Sequence, residues 1–268
     1  MKPIILYEDK DVLVINKPAG LVVHSDGLPA QVGKTKEKTL VDWILEKYPK
    51  LKNVGEPGRS EKGEEIPRPG IVHRLDRETS GAMLVAKNSK SFANLKEQFQ
   101  KHEIKKNYHA FVYGEMNPIR SQTSRMSAGV LRHQTSNGMK NASGTIDRPI
   151  GRSSKDFRLR SAQRGARGEM REAVTDYKVI SRTKDYSFVE VSPKTGRTHQ
   201  IRVHFKAINH SLVADSLYAP NRQNTLGFKR LALHSYSVTF SDLKGKLHTV
   251  ISTYPQDFNH ALKILKKF

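Results

Sequence analysis

His73-Arg74-Leu75-Asp76-Arg77-Glu78-Thr79-Ser80-Gly81 lies between Ile71-Val72 and the apolar run Ala82 to Ala86. That run is long enough for a buried strand, so the spacing predicts a turn between two elements of a sheet. A rigid frame of this kind aims the side chains that the turn carries. Asp76 is flanked by Arg74 and Arg77, and Thr79 and Ser80 add hydroxyl groups. Opposite charge favours an ionised carboxylate, which suits a nucleophile or a hydrogen-bond acceptor better than an acid held protonated. Taken alone, the pattern fits a structural ion pair as well as a catalytic group.

Upstream, Ile4 to Tyr7 and Val12 to Ile15 are β-branched runs around Glu8-Asp9-Lys10-Asp11, a hairpin stopped by Lys17-Pro18-Ala19-Gly20. Thr39 is expected to cap a helix with Asp42 at its third position. Leu40, Val41, Ile44, Leu45 and Tyr48 form its apolar face, and Pro49 ends it. Residues 50–70 read as a surface connection.

Downstream, Ser91 predicts the cap of a helix with Phe92, Leu95 and Phe99 on one face. Tyr108, Ala110 and Val112 then alternate with His109, Phe111 and Tyr113, which predicts a mostly buried strand closed by Gly114. Tyr108 is there either a core residue whose hydroxyl reaches the surface or a platform on which a nucleobase stacks. Ala173 to Ile180 and Phe188 to Val191 read as strands. Ile201, Phe205 and Ile208 are spaced as one face of a helix that Thr198 would cap, with Arg202 one position further round. Its exposed N–H groups, together with Arg197, could hold a phosphate. Late strands at Leu231 to Phe240 and Leu247 to Thr253 precede a short helix after Asp257.

The chain carries 47 Lys+Arg against 26 Asp+Glu, a formal net charge of +21, which attracts polyanions and puts nucleic acid first among partners. A ribosome-associated structural protein or a membrane-surface binder would share that charge. Zero cysteines exclude disulfides, thiolate nucleophiles and Cys-ligated metal sites. The glycine patterns of dinucleotide and triphosphate sites are missing, and His199, His204, His210 and His234 form no His-Glu-x-x-His arrangement. The expectation is therefore no cofactor and no metal. The apolar start is too short for a signal peptide, and no segment approaches the roughly 20 apolar residues of a membrane span. A cytoplasmic protein without membrane contact is expected. Arg120 to Thr145 has four basic residues and no acidic one, which predicts a basic surface insertion at about 115–145. It is equally readable as an RNA-contacting arm or a solvated loop. A lone carboxylate, an aromatic platform and arginines on a polyanion-attracting surface suit isomerisation or glycosidic-bond chemistry on a base in RNA.

Three long motifs make the chain resemble the RluA/RluD-like family of RNA pseudouridine synthases. They are His73 to Gly81, Lys106-Asn107-Tyr108-His109-Ala110, and Thr195-Gly196-Arg197-Thr198-His199-Gln200-Ile201-Arg202-Val203-His204. Shorter agreements at Asn16 to Gly20, Asp147 to Gly151, Asp215 to Tyr218 and Leu231 to His234 keep the family's order. The resemblance implies cofactor-free conversion of uridine to pseudouridine, in which the N-glycosidic bond breaks and the ribose rejoins C5 of the same base. It implies a mixed α/β (α+β) catalytic fold, a curved and mainly antiparallel sheet with flanking helices and a central cleft. Residues 1–268 would form a single domain of two interlocked halves.

By the same resemblance Asp76 is the nucleophile, Tyr108 stacks on the target base, and Arg202 is the basic partner of the catalytic carboxylate. Arg74 would occupy the space left by the flipped uridine. His73, Arg77 and Thr79 beside it, and Arg197, Thr198, His199 and Gln200 in the third motif, are expected to bind substrate. The implied partner is RNA, ribosomal ahead of transfer RNA, met by a monomer. Two departures bear on target choice: the chain starts almost at the catalytic domain, without the S4-like domain of many relatives, and about thirty residues separate Gly114 from Gly144. From another class, a catalytically silent RNA-binding or ribosome-assembly protein remains the alternative.

Overall fold

A computed structural model describes residues 2–24, 37–59, 63, 65–117, 131–132, 142–154, 156, 159–162 and 166–266. In chain order the first elements are β1 (Ile4–Glu8), β2 (Val12–Lys17), α1 (Leu40–Lys47), β3 (Gly58–Arg59), β4 (Glu65–Ile66), β5 (Ser80–Ala86) and α2 (Ser89–Gln100). There follow β6 (Lys105–Tyr113), β7 (Leu131–Arg132), β8 (Ser143–Asp147), β9 (Ile150–Arg152), β10 (Arg160–Ser161) and β11 (Arg167–Arg171). The last are β12 (Val174–Arg182), β13 (Tyr186–Pro193), α3 (Gln200–Ala207), β14 (Leu233–Ser241), β15 (Leu247–Ile251) and α4 (Gln256–Leu265). The fold is α+β with mainly antiparallel sheet. The chain forms two compact units, residues 1–105 with 235–253, and residues 106–234 with 254–268.

In the first unit the sheet runs β1-β2-β5-β14, and β15 also pairs with β14. Asp9 turns the first hairpin: its Oδ1 accepts the N–H groups of Asp11 and Val12 at 2.8 and 2.6 Å. β5 is buried along its whole length, as its unbroken apolar run requires. α1 starts with the expected capping box between Thr39 and Asp42. In α2 the cap is Asn88 and not Ser91, because Asn88 Oδ1 accepts the Ser91 N–H at 3.0 Å while Ser91 returns the bond from the third helical position. Val14, Leu84, Phe92, Leu95, Val238 and Phe240 are among the residues that fill this core.

In the second unit the sheet order is β6-β13-β12-β8-β7, beside a small sheet β10-β9-β11. Tyr108 stands opposite Val191 and Tyr113 opposite Tyr186. α4 packs Phe258 against Phe111 and Phe228, with ring centroids 5.5 and 5.3 Å apart. α3 departs from the one-faced helix of the sequence pattern: Ile201, Arg202, Val203, His204 and Phe205 are all buried. Its cap is His199, in the left-handed region at φ +56°, and not Thr198. Within the basic insertion, Leu131 and Arg132 pair with Ile146 and Thr145. Arg120, Arg125 and Lys140 lie outside the described residues.

Candidate active site

The turn that carries Asp76 is fastened at both ends and from below. Leu75 and Thr79 are buried, whereas Asp76 is half-buried and Arg74 and Arg77 are exposed. The Thr79 N–H closes the turn on the Asp76 carbonyl at 3.1 Å. His73 works as a fastener: its Nε2 accepts the Leu84 N–H of β5 at 2.9 Å, and its ring lies 4.8 Å from that of Phe99. Gly81 ends the motif at φ +115°, where a Cβ would stand 2.2 Å from the Ser235 carbonyl oxygen, so only glycine allows the strand this approach.

The sequence pattern makes Lys17 part of a strand stop, and the structure gives it a larger role. Lys17 is fully buried, and Nζ donates to the carbonyls of Pro18, Leu21 and Arg77 at 3.0, 2.9 and 3.1 Å. The Gly20 N–H also reaches the Arg77 carbonyl, at 2.8 Å. The signal in the sequence is a lysine that ends the apolar strand Val12–Lys17 and is followed by proline. Arg77 sends its guanidinium outward to Glu37 at 2.6 Å, and Arg74 Nη1 lies 3.5 Å from His24 Nε2.

In the second unit Arg202 is buried and makes a bidentate pair with buried Asp215, Nε to Oδ2 at 2.9 Å and Nη2 to Oδ1 at 2.7 Å. Asp215 Oδ1 also accepts the N–H groups of Leu217 and Tyr218 at 3.1 and 3.0 Å. The Arg202 guanidinium lies over the Tyr218 ring, 5.0 Å from its centroid, and His199 Nδ1 pairs with the Tyr218 hydroxyl at 3.0 Å. Planar charge on a ring, with two parallel bonds to one carboxylate, leaves the guanidinium little freedom. Asp215 is not among the residues that the sequence singles out as acting.

Gln200 organises the preceding turn from inside. Its Oε1 accepts from Thr195 Oγ1 and the Arg197 N–H at 2.7 and 2.9 Å, and its Nε2 donates to the Val174 carbonyl and Thr175 Oγ1 at 3.0 and 2.9 Å. Those bonds use the full capacity of the amide and explain why Thr198 is not needed as a cap. Arg197 and Thr198 are exposed at the turn. Tyr108 and Lys106 share a face of β6, since side chains alternate along a strand. A Cβ built on Gly196 would meet Lys106 Nζ at 3.9 Å, so this face of β6 adjoins the turn. Burial pushes the Lys106 ammonium below its ordinary range.

Among the described residues no group of three or more His, Asp or Glu is placed to hold a metal ion, and no helix is long and apolar enough to cross a membrane. Solved structures of pseudouridylate synthases share this mainly antiparallel α+β fold. Human RNA pseudouridylate synthase domain containing 4 superposes with a TM-score of 0.66 at 24% identity, covering 98% of this chain and 92% of that one. An uncharacterized RNA pseudouridine synthase from Synechocystis sp. is 34% identical across 98% of this chain and 69% of its own length. The ribosomal large subunit pseudouridine synthase D of Zymomonas mobilis is 34% identical across 97% and 72%. The family model described as RNA pseudouridylate synthase matches residues 11–207. The chain belongs to this family, in its RluA/RluD-like branch, and is an RNA pseudouridine synthase.

Proposed function

We propose that Asp76 is the nucleophile of this isomerisation, that Tyr108 and Arg202 act with it, and that the target is large-subunit ribosomal RNA. The observation that carries the reading is the turn itself: a half-buried carboxylate on a loop held by Lys17, by His73 and by the close approach at Gly81. Such fixation keeps the reacting group in one geometry and is what positioning in catalysis requires. In the reaction the C1′–N1 bond breaks, the base turns, C1′ bonds to C5, and the C5 proton leaves as N1 gains one. Attack at C1′, attack at C6 and a glycal route all use the ionised carboxylate. Tyr108 offers a ring face to the base and a hydroxyl for the C5 proton. Residues 1–268 work as one catalytic domain, in a cytoplasmic monomer. The Zymomonas relative's name supports the ribosomal target.

Asp76→Asn keeps the side-chain volume and removes nucleophilicity. Tritium release from C5-labelled uridine in RNA is expected to fall by at least about 10³-fold, with RNA affinity within roughly twofold of the parent. Substantial turnover by the variant overturns the assignment of Asp76. Mapping pseudouridine in ribosomal and transfer RNA of cells with and without the gene tests the target, and a site lost from transfer RNA alone would replace the ribosomal one. Sedimentation at twice the mass of one chain would refute the monomer.

A further inference from the structure

The small sheet β10-β9-β11 and the turn 196–198 enclose a cavity of about 410 Å³ lined by Arg152, Arg160, Arg171 and Arg197, with Glu169 the one acidic residue among its described walls. Arg171 takes that carboxylate, Nε and Nη2 lying 3.2 and 3.1 Å from Glu169 Oε2. Arg197 Nε instead donates to the Glu172 carbonyl at 3.0 Å, and Arg160 Nη1 to the Leu159 carbonyl at 3.5 Å. A carbonyl orients a guanidinium without cancelling its charge, so Arg160 and Arg197 face the cavity as cations, and Arg152 lines it beside them.

The register of the sheet sharpens this. Arg152 stands directly opposite Arg160 on one side and opposite Arg167 on the other. Like charges directly opposite each other destabilise a sheet, and an anion lying across the three strands relieves the repulsion. Strands are spaced by about 4.8 Å, so this arginine row is roughly 10 Å across, longer than one phosphate and suited to consecutive phosphodiesters. Gly196 connects the cavity to the Tyr108 face of β6, because Lys106 Nζ is what its missing Cβ would meet.

We propose that this cavity is an RNA-docking subsite that takes backbone phosphates of the strand flanking the target uridine. The flanking position rests on the reading of Tyr108 as the base platform, whereas phosphate capture rests on the arginines alone. On this proposal Lys106, which adjoins Gly196, links the Tyr108 face of β6 to the cavity arginines Arg197, Arg160 and Arg152. Interactions of this kind set register and affinity without reading sequence.

The test is binding of a short fluorescein-labelled oligouridylate across a salt series. Arg152→Gln/Arg160→Gln is expected to bind roughly tenfold more weakly at moderate salt, and its slope of log affinity on log salt should flatten by about 0.7 for each phosphate no longer neutralised. Arg152→Lys/Arg160→Lys should keep most of the slope. Without RNA the Gln pair should melt no lower than the parent, since it removes repulsion rather than support. Lys263→Gln/Lys266→Gln, which takes the same charge from α4 and the residue that caps its end, should leave affinity and slope unchanged. Parental affinity and slope in the Gln pair, or an equal loss in the α4 control, overturns the subsite. So does an equal rise in Tm from inorganic phosphate and from the oligonucleotide at matched phosphate concentration. Pseudouridine formation on cellular RNA is assayed alongside. No product from the parent, with the slope effect present, refutes isomerisation of these RNAs and leaves phosphate capture by the subsite standing. Normal product with an unchanged slope refutes the subsite alone.

Discussion

At the scale of single residues, buried polar groups hold the functional turns, and Lys17 and His204 are matched atom by atom. An ammonium as deeply buried as Lys17 is costly unless its protons are taken, and three carbonyls take them. His204 is the neutral counterpart. It is wholly buried, with Nδ1 2.9 Å from Thr175 Oγ1 and Nε2 2.9 Å from the Arg148 carbonyl. With Nε2–H donating to that carbonyl, Nδ1 accepts from the threonine hydroxyl, so the pocket is built for the uncharged ring. Burial pushes its pKa down to about 4. Between the unfolded value near 6.5 and about 4, the unfolded chain binds a proton that the folded chain refuses. The stability that His204 contributes is therefore intact above about pH 6.5 and is lost as pH falls towards 4, by on the order of 3 kcal/mol in total. Urea unfolding across that range should show parental stability falling, and the slope should shrink in His204→Gln. Identical pH profiles would show that other groups govern acid sensitivity.

Among elements, β5 shows how a short run can be fully legible while its neighbour is not. The unbroken apolar run Ala82 to Ala86 reads as a buried strand, and it is one. Its first residues also carry a demand that only the paired strand reveals: Gly81 faces the Ser235 backbone. Gly81→Ala combines a backbone clash with an unfavourable φ, and a loss of about 3 kcal/mol or more is expected. Denaturant midpoints of parent and variant measure it, and a difference under about 0.5 kcal/mol would show that β5 and β14 shift freely. Helix starts divide in the same way. Thr39 and Asp42 cap α1 through bonds between neighbours in sequence, so the pattern suffices. At α2 three residues able to cap, Asn88, Ser89 and Ser91, stand within one turn, and the first, Asn88, is the cap. At α3 the cap moves to His199 because Gln200 reaches back to the Arg197 N–H.

Across the whole molecule, charge and chain path matter more than any single bond. The chain passes from the first unit to the second at 105–106, returns at 234–235 and leaves again at 253–254, so neither unit is a continuous segment. Phe258 on α4 completes a core begun by Phe111 far earlier in the chain and shared with Phe188. The net charge of +21 acts on RNA at long range, and the insertion adds Arg125, Arg132 and Lys140 to it. Changing those three to Ser should leave Tm nearly unchanged, because the segment has too little apolar content to support a core. RNA binding should weaken and its salt slope flatten by about 0.7–0.9 for each phosphate no longer neutralised. Salt-dependent titrations decide this, and unaltered curves would leave the insertion a solvated loop.

The amino-acid sequence by itself determined the strands of alternating or unbroken apolar residues, the α1 cap, the basic character and the three motifs that mark the family. Each rests on local periodicity or on residue order, which survive without a fold. Tertiary structure alone decided what lies between distant segments. Arg202 lies one position off the apolar face of its helix in the sequence, and His204 is read only as one of four histidines without a metal pattern, yet both are buried because Asp215, Thr175 and Arg148 reach them from elsewhere in the chain. Lys17 became an anchor only when the Arg77 carbonyl folded onto it. The arginine row of β10-β9-β11 exists only through strand register. A buried polar group is tolerated by virtue of its partners, and partners brought together by folding leave no periodic trace in the sequence.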